Sequence, residues 1–125
     1  MNKNSNIGFI GLGNMGKPIF DNLNKKFSNI FCFDRDTSKL KKNKFSSSLI
    51  EIFEKCKIII FCVESNEQII DIIKENKIKK NTVIVDLTSS LPDLTKKISS
   101  YLEKYESYYI DAGMSGGASG ATNGT

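Results

Sequence analysis

Residues 7 to 16, Ile7-Gly8-Phe9-Ile10-Gly11-Leu12-Gly13-Asn14-Met15-Gly16, constrain this chain more than any other stretch, because an apolar run breaks there into glycines spaced G-x-G-x-x-G. The pattern reads as a strand, a tight turn and the start of a helix. Gly11 lets the backbone turn sharply, Gly13 lets a pyrophosphate approach without meeting a Cβ, and Gly16 lets the new helix pack closely on the sheet. The unpaired N–H groups and the dipole at the helix N-terminus favour a diphosphate. Glycine-rich surface turns show the same spacing, so the flanking sequence has to decide between them.

It does so about twenty residues further on, at Ile30-Phe31-Cys32-Phe33-Asp34. This second apolar run ends in a carboxylate, where a βαβ dinucleotide fold holds the adenosine ribose.

The rest of the chain keeps alternating. A strand over about Asn6 to Ile10 feeds the turn, and a helix from about Asn14 to Lys25 turns Ile19, Phe20, Leu23 and Phe27 to the sheet. Pro18 sits in its first turn, where a missing N–H costs nothing. Asn29 to Phe33 is apolar on both faces, as in a central parallel strand. Asp36 caps a short helix through Leu40, Phe45 marks a brief third strand, and Ser46 to Ser48 cap a helix over Leu49 to Lys55. Lys57 to Val63 reads as the clearest buried strand. A helix over Glu67 to Glu75 follows, with Ile69, Ile70, Ile72 and Ile73 inward, then a strand over Thr82 to Asp86, a helix from Pro92 to about Lys104 and a sixth strand over Tyr108 to Ile110. The expected fold is α/β, a doubly wound parallel sheet of Rossmann type.

Composition narrows the chemistry. A chain of 125 residues makes one domain and buries about two-thirds of its unfolded surface, enough for a core. It has no histidine, so no imidazole serves as general base or metal ligand, and no metal site is expected. The net charge of +4 comes from scattered lysines without interleaved aromatics, which does not indicate a nucleic-acid partner; the denser Lys39 to Lys44 reads as a solvated helix end. Cys32, Cys56 and Cys62 are odd in number and lack C-x-x-C spacing, so neither a disulfide framework nor a zinc site is indicated. Cys32 and Cys62 lie in apolar runs and are expected to be buried thiols. The N-terminal apolar run is too short for a signal peptide or membrane span, and a cytoplasmic location is the expectation. Glu51, Glu54 and Glu67 read as solvated helix faces, and Tyr101, Tyr105, Tyr108 and Tyr109 as core or interface packing.

Taken together, Phe9-Ile10-Gly11-Leu12-Gly13-Asn14-Met15-Gly16 and the small, glycine-rich Asp111 to Thr125 resemble two signatures of the β-hydroxyacid dehydrogenase family, which includes 3-hydroxyisobutyrate dehydrogenase and the N-terminal half of 6-phosphogluconate dehydrogenase. The resemblance covers the whole chain. It implies an NAD-binding domain, with NADP as a second candidate, over residues 1–110, and a substrate-binding segment over 111–125 that leads to a helical second domain. It places Gly11, Leu12, Gly13, Asn14, Met15 and Gly16 at the pyrophosphate, Asp34 and Arg35 at the adenosine ribose, Val63 and Glu64 beside the cofactor, and Ser89 near the nicotinamide ribose. Ser115, Gly116 and Gly117 match the segment that holds the substrate carboxylate. The sequence departs from the family at Ile19-Phe20 in place of a small pair, at Glu64 in place of proline and at Gly113-Met114 in place of Pro-Val.

The family's catalytic lysine and its nearby asparagine lie on the next helix and have no counterpart in these 125 residues, so no catalytic residue is assigned and the expected behaviour is cofactor binding without turnover. The implied partners are a small hydroxy acid and further copies of the chain, with no nucleic acid and no membrane. Two other classes use a similar glycine turn, a regulatory nucleotide sensor and a methyl-donor transferase. Ser115-Gly116-Gly117 separates the first from a dehydrogenase, because a sensor has no need of a carboxylate-binding serine. Gly16 separates the second, which does not call for that helix-packing glycine.

Overall fold

In the computed structural model, which describes residues 6–40, 46–88 and 91–112, five parallel strands alternate with four α-helices. The order is β1 (Ile7–Ile10), α1 (Gly16–Asn24), β2 (Ile30–Phe33), α2 (Leu49–Lys55), β3 (Ile58–Phe61), α3 (Asn66–Glu75), β4 (Val83–Asp86), α4 (Pro92–Glu103) and β5 (Tyr108–Asp111), with a 3₁₀ turn over Thr37–Lys39 after β2. Each helix carries the chain from one parallel strand to the next, which a tight hairpin cannot do. The sheet order is β2-β1-β3-β4-β5. The chain therefore steps outward from β1 to β2, then crosses back to β3 and continues the other way, leaving a topological switch point between β1 and β3.

Local sequence explains the element ends. Ser48 caps α2 by accepting the Glu51 amide at 3.1 Å, and Asp36 accepts the Ser38 amide at the head of the 3₁₀ turn. Pro92 occupies the first turn of α4. Helix α1 begins at Gly16 rather than Asn14, because residues 11–15 are spent in the turn.

The expected six strands become five among the described residues. Ser46 forms an isolated parallel bridge to Cys32 on the outer side of β2, while Phe45 lies outside the described residues. Strand β2 is thus nearer the sheet edge than its all-apolar sequence implies; Ile30 and Cys32 are buried and Phe31 and Phe33 only partly so. The most deeply buried strand is β1, all four residues of which are covered, and β3 alternates instead, with Ile59 and Phe61 inward. A strand flanked on both sides and on both faces has no solvent side.

Two apolar clusters sandwich the sheet. Ile52 and Phe53 of α2, Ile69 and Ile73 of α3 and Ile98 and Leu102 of α4 pack on one face with Ile59, Phe61 and Ile84. On the other, α1 brings Phe20 against Phe9, Ile7 and Cys32, the two phenyl rings meeting edge to face at 5.9 Å. Among the described residues no second helix covers this face beyond α1, and Tyr108 and Ile110 of β5 are 60% and 50% exposed. Among the described residues no helix is long and apolar enough to cross a membrane.

Candidate cofactor site

A cleft of about 640 Å³ opens outside the carboxyl ends of β1, β2 and β3, at the switch point where open α/β sheets receive ligands. Its floor is the glycine turn, and the three glycines do different things. At Gly11 φ is +106°, and a Cβ would stand 2.1 Å from the carbonyl oxygen of Cys62; both the turn and the contact with the strand-three loop demand glycine. At Gly16 a Cβ would lie 1.9 Å from the Gly11 carbonyl oxygen, so the helix starts hard against the turn. At Gly13 a Cβ would meet nothing within 4 Å. Its missing side chain leaves space that belongs to the cleft, as an approaching diphosphate requires. In the first turn of α1 the Lys17 amide already donates to the Gly13 carbonyl at 3.0 Å and Pro18 has no N–H, so the helix contributes chiefly its dipole, which favours an anion at the turn. On this geometry the turn fits a dinucleotide.

Asp34 closes the β2 side. Its Oδ2 accepts the Leu12 amide at 2.7 Å and its Oδ1 accepts the Asp36 amide at 2.8 Å. A carboxylate offers about four acceptor positions, so about two remain for ribose hydroxyls. Arg35 and Lys39 line the cleft beside it, while Glu64, Asp71 and Glu75 line it too, with Gln68 among them. Ile10, Phe33, Leu49, Val63, Ile72 and Leu87 supply apolar wall. The Glu64 amide donates to Gln68 Oε1 at 3.1 Å, fixing the loop into α3.

Of the residues singled out in the sequence, the fold brings Gly11, Gly13, Asn14, Met15, Gly16, Asp34, Arg35, Val63 and Glu64 onto one cleft. Leu12 is different: its side chain is buried in the α1 cluster, and only its amide reaches the site, through Asp34. It also lines a smaller hollow with Lys17, Pro18 and Lys39. Ser89 and the segment Ser115, Gly116, Gly117 lie outside the described residues.

Several lining residues escaped the sequence reading. Lys39 is the exposed end of the 3₁₀ turn, as expected, and lines the cleft as well, and Gln68, Asp71 and Glu75 share its wall on one face of α3; their spacing signals a helix face without saying what the face meets. The cysteine expectation is corrected as well: Cys32 and Cys56 are the buried pair, whereas Cys62 is half-buried and lines the cleft. Residue 62 follows β3 directly, at the strand end where the sheet opens to the ligand. Burial pushes its thiol up, and the negative charge of Asp86 pushes it further the same way. Among the described residues no group of histidine, cysteine or acidic side chains is placed to hold a metal.

This arrangement matches known proteins along nearly its whole length. Residues 6–125 match the family model for the NAD binding domain of 6-phosphogluconate dehydrogenase. The chain is 30% identical to mouse mitochondrial 3-hydroxyisobutyrate dehydrogenase over 128 residues, covering 94% of this chain and 38% of that protein. It is 32% identical to 2-(hydroxymethyl)glutarate dehydrogenase of Eubacterium barkeri, covering all of this chain and 45% of that protein. The solved 3-hydroxyisobutyrate dehydrogenase of Mycobacterium tuberculosis superposes with a TM-score of 0.90 at 22% identity, covering 98% of this chain and 44% of that one. The chain thus spans less than half the length of the relatives it matches. With a switch-point cleft floored by a glycine turn and a family model that matches residues 6–125, this chain belongs to the NAD-binding domains of the β-hydroxyacid dehydrogenase family.

Proposed function

We propose that the cleft binds NAD in preference to NADP and that the chain is the cofactor domain of an oxidoreductase acting on a small β-hydroxy acid of the 3-hydroxyisobutyrate type. The observation that carries this reading is the contrast among the glycines: Gly11 and Gly16 are closed in by backbone while Gly13 faces open cleft, with Asp34 at the end of β2. When bound, the nicotinamide supplies a hydride acceptor for the carbinol carbon of the substrate. The chain's own residues bind and orient. In this reading the amides from Gly13 to Gly16 hold the pyrophosphate, Asp34 and Arg35 hold the adenosine ribose, Val63 and Glu64 wall the far side, and Ser89 meets the second ribose. Ser115 with the amides of Gly116 and Gly117 takes the substrate carboxylate, so that residues 111–125 act as a substrate segment beyond the cofactor domain.

Nothing in this reading moves the hydroxyl proton. The family's proton-moving lysine has no counterpart in these 125 residues and no histidine stands in for it; a positioned acid or base contributes about 10² to 10⁴ in rate, so in this reading the 125 residues bind cofactor without turnover. Copies associate through the sheet face that α1 leaves open at Tyr108 and Ile110. With three free thiols, a reducing setting such as the cytoplasm suits the chain. Calorimetric titration with NAD and with NADP tests the proposal. Saturable binding of NAD supports it, and a chain that binds neither dinucleotide overturns it.

A further inference from the structure

Asp86 is fully buried at the carboxyl end of β4, and no ion pair among the described residues reaches it. Its carboxylate is held instead by donors from three separate segments. The Thr88 amide donates to Oδ1 at 2.8 Å, Asn66 Nδ2 donates to Oδ2 at 2.6 Å, and the Tyr109 hydroxyl donates to Oδ2 as well. Asn66 is itself buried at the head of α3, and its Oδ1 accepts the Leu91 amide at 3.1 Å, just before α4. The Thr88 hydroxyl accepts the Val63 amide at 3.2 Å. One carboxylate thus links the segments that follow β3 and β4 to β5 and to the entries of α3 and α4.

The location of this network gives it a meaning beyond stability. Val63 and Thr88 line the cofactor cleft, and they lie after β3 and β4, across β1 from β2 and Asp34. A dinucleotide bound across the switch point with its adenosine ribose at Asp34 places its nicotinamide half on this side. An isolated buried carboxylate is costly unless donors surround it, so the donors that meet Asp86 are held in place together with the loops that carry them.

We propose that Asp86, locked by Tyr109 and Asn66, is the positioning residue for the nicotinamide half of the dinucleotide, setting Val63 and Thr88 in the cleft wall while the adenosine diphosphate half depends on the glycine turn and Asp34. This inference rests on the cleft being the dinucleotide site. Tyr109 is the sensitive part, because its ring packs against the core and only its hydroxyl enters the network.

The test is calorimetric titration of the 125-residue chain, Tyr109→Phe and Asp86→Asn with NAD and with ADP, alongside thermal melts. Tyr109→Phe removes one hydroxyl, and Asp86→Asn turns an amide donor toward other donors. The wild-type chain should bind NAD more tightly than ADP. In Tyr109→Phe that advantage should shrink by about tenfold as Val63 and Thr88 lose their fixed places in the wall, and in Asp86→Asn by more, while ADP affinity stays within about twofold. NAD and ADP affinities that fall together would show a merely structural network and overturn the inference, as would unchanged NAD affinity in both variants. A wild-type chain that binds NAD no better than ADP overturns this inference and leaves the cofactor reading standing; one that binds neither overturns both. If Asp86→Asn does not fold, Tyr109→Phe decides alone.

Discussion

The Leu12 amide donates to Asp34 Oδ2 across 2.7 Å, joining the glycine turn after β1 to the end of β2. Asp34 therefore holds the turn, and in the proposed reading the same carboxylate also meets the ribose. A carboxylate at that position repels a 2′-phosphate, which the neighbouring Arg35 attracts. Lys39 adds a second cation on the cleft, but Glu64, Asp71 and Glu75 join Asp34 there, so the acids outnumber the cations and NAD should bind more tightly than NADP. Asp34→Ser should shrink or invert that preference and, by freeing the Leu12 amide, cost about 1 kcal/mol of stability. Paired titrations and urea melts check both halves, and tighter NADP binding by the wild type would refute the assignment.

Two alanine substitutions should separate folding from binding. Gly11→Ala drives a Cβ to 2.1 Å from the Cys62 carbonyl at a φ of +106°, so the domain should lose about 3 kcal/mol or more, with a large drop in melting temperature. Gly13→Ala meets no protein atom within 4 Å, so stability should change by less than about 0.5 kcal/mol. Its Cβ stands in the cleft, however, and NAD affinity should fall at least about tenfold. Equal effects of the two variants on the melt would contradict this division.

Alkaline pH should destabilise the fold through its buried thiols. Burial pushes Cys32 up to about 11 and Cys56 up to about 12, above the range of an unfolded thiol near about 8.5. The folded state then holds protons that the unfolded state releases. The thiol contribution is fully present below the unfolded value and is lost as pH rises toward 11 and 12. The urea midpoint should decline between about pH 8.5 and about pH 10.5, and Cys56→Ala should flatten the decline while lowering stability throughout. A midpoint that rises over that interval would mean that the buried thiols ionise more readily in the folded chain than in the unfolded one.

Cys62 offers a direct probe of the cleft. Its raised thiol should react with iodoacetamide at about pH 8 more slowly than free cysteine, because burial and then Asp86 disfavour the thiolate. In Asp86→Asn the reaction should quicken, and saturating NAD should slow it in the wild type by covering the wall. Mass spectrometry of the labelled peptide reads all three rates.

Self-association should follow from β5. Tyr108 and Ile110 expose apolar surface on the last described strand, which pairs only with β4 among the described residues. Light scattering should show mass rising with concentration, and Ile110→Lys should lower it by charging the face. A monomer at every concentration would set the association proposal aside.

The alternation of strands and helices, the glycine turn and the acid after the second strand were all legible in the sequence, since each depends on a few neighbouring residues. Periodicity tells which side of a helix is apolar, and a turn motif carries its own backbone demands. What only the tertiary structure decided depends on segments far apart. The chain order alone does not say that Asn66, Asp86 and Tyr109 meet; the parallel register of β4 and β5 sets Asp86 beside Asp111, with Tyr109 two residues back on the strand, and the head of α3 brings Asn66 to the same carboxylate. The same holds for Cys62, whose apolar neighbours imply burial although the strand ends just before it, at the edge of the cleft. Lys39, Gln68 and Asp71 likewise became cleft residues only when the crossover from β2 to β3 brought the segment after β2 and one face of α3 to one site, because a helix face records its own polarity and nothing about its neighbour.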